Sequence, residues 1–273
     1  MNRPPEYPEQ PAWLEDDDPH GLPDIDPRDH IYSLGVDFDI DAQLRAIRDI
    51  LRRHREAGQA LTDEIYKVEE HARRLSGIRN EQAVAEWIDR MHDSVYQDAA
   101  HSMAAAGMLA PLIETIFYQC FLGMGSRFFY ATNPAICHVR WSMARAKQWD
   151  CHYEVKDGKY QKGLSRGIVQ LADAVGLTSW LPANLEPTLS ALFTYRNNMF
   201  HHGFEWPVDE RERFEQRIVK ESWPSDWFSM ATSGGKPWIF YLSEVFIEHC
   251  LTTTDQVLDA FGSFVRDELL PKR

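Results

Sequence analysis

The sequence predicts an all-α protein: a helical bundle preceded by a long helix or helical hairpin and by an extended acidic arm. Three observations carry this. Apolar residues recur at alternating spacings of three and four from Leu44 to Leu75. The stretch 99–126 is apolar all round, with Glu114 as its only formal charge. The first 27 residues hold seven prolines interleaved with acids, which propagate neither a helix nor a central strand.

At 273 residues and 44% hydrophobic, the chain can bury a sizeable core. Its net charge is −13, but residues 1–41 carry twelve acids against Arg3 and Arg28, whereas the remaining 232 residues hold 30 acidic and 27 basic side chains. A near-neutral body argues against broad phosphate-backbone binding and leaves room for a small basic cleft. Cys120, Cys137, Cys151 and Cys250 are too few and too scattered for a disulfide framework. The start, MNRPPEYPEQPAW, has neither the apolar core of a secretory signal nor the Arg/Ser bias of a transit peptide. A cytoplasmic location is the expectation.

Residues 1–38 form the acidic, Pro-rich arm, read as extended or disordered; as a strap over the body it would use Trp13, Leu14, Ile31 and Tyr32 as anchors. Residues 39–78 form the long heptad-patterned helix, capped by Asp39 or Asp41 and ended by Gly77, with seam positions Leu44, Ile47, Leu51, His54, Gly58, Leu61, Ile65, Val68, Ala72 and Leu75. His54 and Gly58 weaken its middle. A continuous helix is favoured over a break at EAGQAL, since one glycine costs only about 1 kcal/mol.

Residues 79–273 form the bundle. A second helix, capped by Asn80, presents Val84, Ile88, Met91 and Val95 on one face and packs back along the first. The run 99–126 is long enough to span a bilayer, but Gly107, Pro111, Thr115, Gln119 and Glu114, with no Lys/Arg-rich flank, favour a central bundle helix, kinked or divided at Pro111. Glu114 then needs a cation or an outlet to water. Residues 133–163 read as irregular, with a short hairpin at Asp157-Gly158. Cys137, His138, Cys151 and His152 are directly adjacent in pairs, whereas zinc sites usually separate paired ligands by two or more residues, so packing explains them better and no metal is expected. Helices follow over LSRGIVQLADAVGL, ended by Gly176, and from Asn184 as cap to Gly203; a last helix runs from Trp238 to about Asp267. Between them lies an insertion, 204–237, whose Trp206, Trp223 and Trp227 form either a packing lid or, less in keeping with the acids around them, a stacking platform for RNA bases.

The chemistry concentrates in TYRNNMFHHGFEW, 194–206. Arg196 falls on the apolar stripe of its helix with Leu185, Leu189, Leu192, Phe193 and Phe200, and an inward guanidinium must be paired. His201 lies about 140° around a regular helix from Arg196. A fixed guanidinium beside an imidazole that titrates near neutrality suits phosphodiester chemistry: one group stabilises charge on phosphate oxygens, the other moves a proton. Glu114, the lone charge of its stretch, is the expected partner of Arg196.

The segment YRNNMFHHG resembles the signature of the HEPN superfamily, in which an arginine, usually followed by a polar residue such as asparagine, precedes a histidine with four to six residues between them. Arg196, Asn197 and His201 match it, and His202 also satisfies the spacing. The helix LAPLIETIF, with its single acid, extends the likeness over about 80–265. The resemblance implies a HEPN-like bundle that forms a homodimer with two arginine–histidine pairs in one cleft. It also implies a metal-independent endoribonuclease, without cofactor, of toxin–antitoxin or antiviral defence systems, with an RNA substrate, room for a neutralising protein partner, and no membrane. In that reading Arg196 clamps the phosphate, His201 is general base or acid with His202 as the alternative, Asn197 orients the histidine or the scissile group, and Glu114 fixes Arg196. The alternative is a non-catalytic dimeric scaffold. One departure stands out: members silenced by nucleotidylation carry a tyrosine two residues after the histidine, where this chain has Gly203 or Phe204.

Overall fold

The computed structural model describes residues 26–128 and 138–270. The proposed anchors Trp13 and Leu14, most of the Pro-rich arm, and Cys137 lie outside the described residues. The described chain is predominantly helical, with two small antiparallel hairpins.

Helix α1, Ile40–Arg74, is continuous through His54 and Gly58, and the Asp39 side chain caps it by accepting from Ala42 N. It buries Leu44, Ile47, Leu51, Ile65 and Ala72. Helix α2, Ile78–Arg127, returns along it. Two elements expected separately are thus one 50-residue helix, continuous through Pro111. Asn80 does not cap it. Gly77 holds the N-cap position, and Asn80 Nδ2 instead donates to Ala72 O across the turn. The expected face of Val84, Ile88, Met91 and Val95 is only partly covered: Val84 and Val95 are half-buried, and Ile88 and Met91 are exposed.

The second half of α2 is the centre of the bundle, with Ala105, Ala106, Leu109, Ala110, Ile113, Ile116, Phe117, Cys120 and Phe121 all buried. By length and composition α2 also suffices to cross a bilayer; 56% of its most apolar window is buried within the fold. Packed around it are α3 (Leu164–Val175), α4 (Leu185–His202), α6 (Glu244–Phe264) and the hairpin of β3 (Phe228–Ser233) with β4 (Lys236–Leu242). The smaller hairpin pairs β1 (Tyr153–Lys156) with β2 (Lys159–Lys162), turning at Asp157 and Gly158, both at positive φ as expected of that dipeptide.

Three expectations need correction. The end of the arm is ordered: Pro27–Leu34 form a 3-10 helix that buries Ile31 and Leu34, while Tyr32 stays exposed. Arg28 ties this strap to Asp41 and to Asp255 and Asp259 of α6. A Cβ at Gly262 would lie 2.2 Å from Pro27 O, so only glycine lets the strap sit so close. Secondly, Trp238–Leu242 is strand, not the start of the last helix: a β-branched and aromatic run leads into Ser243, which caps α6 by accepting from Phe246 N. Thirdly, Asn184 makes no side-chain cap; its amide lies 3.2 Å from His249 Nε2. The insertion contains α5 (Val208–Lys220) and β3, and Trp206, Trp223 and Trp227 are buried. They build core, so the stacking-platform reading fails because their faces are spent on Phe214, Phe228, Phe240 and Phe246.

Candidate functional site

Helix α4 is fixed by its buried side, which includes Leu189, Leu192, Tyr195 and Met199. Tyr195 is fully buried and donates to Phe240 O at 3.0 Å, pinning the helix against β4. Arg196 therefore emerges at the rim of the core. Its side chain is 27% exposed rather than buried on the stripe, and its guanidinium lies 5.8 Å from the Phe193 ring. Asn197, Phe200, His201 and His202 face solvent. Phe200, expected to be buried, is 57% exposed and lies against Gly107 of α2, where a Cβ would come within 3.0 Å of its ring. Asn197 and His201 stand one turn apart, as do Arg196 and Phe200, so these side chains occupy adjacent strips of one helix face.

Glu114 and Arg196 meet: Arg196 Nη2 donates to Glu114 Oε2 at 3.3 Å. The carboxylate is also 27% exposed, so the pair sits at the edge of the bundle rather than within it. Arg196 Nε is buried without a partner among the described residues. No hydrogen bond or ion pair among the described residues joins His201 or His202 to Arg196 or Glu114, and the two imidazoles stand 6.3 Å apart, centre to centre.

The other oxygen of Glu114 is taken by a residue not assigned to the site from the sequence. His152 Nε2 lies 2.9 Å from Glu114 Oε1, and His152 Nδ1 lies 2.6 Å from Asp150 Oδ1. Burial acts to lower the His152 pKa, but hydrogen bonds and charge from Asp150 and Glu114 outweigh it and hold the imidazole above its usual range. The ring also packs against Tyr118 of α2, 5.1 Å away. A chain of alternating charge results: Asp150, His152, Glu114, Arg196.

The segment that presents Asp150 and His152 is built around Arg140, which is fully buried. Its guanidinium donates to the carbonyls of Lys147, Gln148, Asp150 and Tyr153, and desolvation brings its pKa down to about 10. From the other side, α3 approaches so closely that a Cβ at Gly167 would lie 2.1 Å from Cys151 O. Cys151 is buried, and burial pushes its thiol up to about 12, the pKa of an inert packing cysteine. His138 pairs with Asp173 at 3.2 Å, so the histidines weighed as zinc ligands are each engaged by carboxylates. Among the described residues no three His, Cys, Asp or Glu side chains cluster as a metal ion requires.

Asp150 is the local cue to His152: its side chain accepts from His152 N at 3.0 Å, an Asx turn that aims the imidazole. No significant match to this chain is found among protein-family models, curated proteins or solved structures.

Proposed function

We propose that the chain is a metal-independent endoribonuclease of HEPN type, acting in the cytoplasm as a homodimer in toxin–antitoxin or antiviral defence. The observation that supports this most is the Arg196–Glu114 pair, set on the helix that ends in exposed His201 and His202. Arg196 spends one of its five N–H donors on Glu114, and its outer donors are available to the non-bridging oxygens of a phosphodiester. There they stabilise the charge that develops as the ribose 2′-oxygen attacks phosphorus. The P–O5′ bond breaks, leaving a 2′,3′-cyclic phosphate and a 5′-hydroxyl. His201 takes the proton from the 2′-hydroxyl or returns one to the 5′-oxygen, with His202 as its alternate and Asn197, one turn earlier, orienting it.

Since neither histidine contacts Arg196 within the chain, the reading draws on a second copy placed across the α2–α4 face, where Phe200 stands exposed. The same exposed side chain favours the second reading, a dimeric scaffold in which these residues only join the chains. Labelled single-stranded RNA separates the two. A ribonuclease cleaves it with chelator in excess and loses cleavage in Arg196→Ala and in His201→Ala, both variants still unfolding cooperatively. A scaffold leaves the RNA whole in all three, and full activity in both variants also removes the proposal.

A further inference from the structure

The role of His152 follows from how Glu114 divides its two oxygens. Left alone with Arg196, a carboxylate would turn both oxygens on the guanidinium in a bidentate fork, the strongest geometry open to the pair. The donors would then be spent and the cation neutralised. Here one oxygen is held by His152 Nε2, and only the other reaches Arg196, through a single nitrogen. His152 is held in turn by Asp150 at its second nitrogen, so the doubly protonated ring satisfies two acceptors at once. Counted as formal charges, the four groups sum to zero with His152 cationic and to −1 with it neutral. An anion approaching Arg196 therefore meets a neutral cluster in the first state and a repelling one in the second.

We propose that His152 is the positioning residue of this site: its ring cation, clamped between Asp150 and Glu114, occupies one oxygen of Glu114 and so leaves the guanidinium of Arg196 free to bind a phosphodiester oxygen. This rests on the ribonuclease reading for the identity of the anion, but not for the coupling itself. The groups around His152 are few. On its own segment are Asp150 and the buried Cys151. From α2 come Glu114 and Tyr118, and from α4 comes Arg196, beyond Glu114. Beneath them Arg140 fixes the backbone through the carbonyls of Asp150 and Tyr153. Histidine is the side chain whose charge ordinarily changes between about pH 5 and about pH 8.

Linkage makes the coupling measurable without catalysis. If protonated His152 strengthens anion binding at Arg196, the anion must raise the His152 pKa, by about one unit for each tenfold of affinity. The test is an NMR titration of His152 in the full chain, without and with sulfate, whose charge is constant over this range. Binding of a 2′-O-methyl oligonucleotide, which cannot be cleaved by 2′-hydroxyl attack, is measured alongside at about pH 5.5 and about pH 8.5.

In the wild type, sulfate should raise the His152 pKa, and the oligonucleotide should bind about tenfold more tightly at the lower pH. Arg196→Gln should abolish the sulfate effect. His152→Gln should bind more weakly and with less pH dependence than the wild type, and Asp150→Asn should move the pH dependence to lower pH. A His152 pKa that sulfate leaves unmoved up to its highest usable concentration overturns the proposal, as does unchanged pH dependence in His152→Gln. If coupling is present but no RNA is cleaved, the ribonuclease reading fails and the role of His152 stands. If RNA is cleaved with full dependence on Arg196 while His152 is uncoupled, this proposal alone fails.

Discussion

Glu114 and Arg196 were legible as a pair because each is an anomaly in its own setting: one acid in a 28-residue apolar run, one cation on an apolar stripe. The depth of the pair was not legible, since a stripe position does not reveal where the core ends. At 27% exposure on both sides, water reaches the pair, and the full penalty for opening a buried ion pair does not apply. A double-mutant cycle of Glu114→Gln with Arg196→Met, followed by denaturant unfolding, should give a coupling of about 1 to 2 kcal/mol; additivity would mean that the contact does not stabilise the fold. His152 adds a pH signature. Its folded pKa is raised, so its stabilising contribution is complete below the unfolded value and is lost as pH rises through the folded one. The stability difference between wild type and His152→Gln, measured by unfolding across that window, should shrink toward alkaline pH.

Element types followed the sequence closely where one pattern dominated. The α1 helix runs through His54 and Gly58 because its seam is buried on either side of them, at Leu44, Ile47 and Leu51 and at Ile65 and Ala72, and DG at 157–158 gave the turn it encodes. Failures came where tertiary context decided: Trp238–Leu242 has helix-compatible apolarity but lies in a strand, with Ile239–Leu242 paired to Phe228–Ala231. The segment carrying His152 was unreadable for a deeper reason. Its shape depends on one buried guanidinium collecting four carbonyls, a convergence with no local periodicity. Arg140→Met should therefore destabilise by about 3 to 5 kcal/mol, and hydrogen exchange over residues 145–153 should lose protection. At the hairpin, Ser102 Oγ accepts from Leu242 N at 2.9 Å in a buried setting, so Ser102→Ala strands that N–H. A loss of about 1 to 2 kcal/mol in unfolding free energy is expected.

The whole molecule presents the motif on the outside of the bundle, with Phe200 exposed over Gly107. In the homodimer proposed above, this half-exposed ring would be the anchor between the copies. Sedimentation at micromolar concentration should report a species of twice the 31.7 kDa chain mass, and Phe200→Glu should weaken it by about 2 kcal/mol or more. A monomer in the wild type would leave each cleft with one arginine and one histidine that do not meet. The central claim, RNA cleavage by the ribose's own 2′-hydroxyl, is tested most directly by the chemistry of the product ends. RNA digested by the wild type with chelator in excess should carry 2′,3′-cyclic phosphate and 5′-hydroxyl termini. Products ending in 3′-hydroxyl and 5′-phosphate, or RNA left intact, would contradict it.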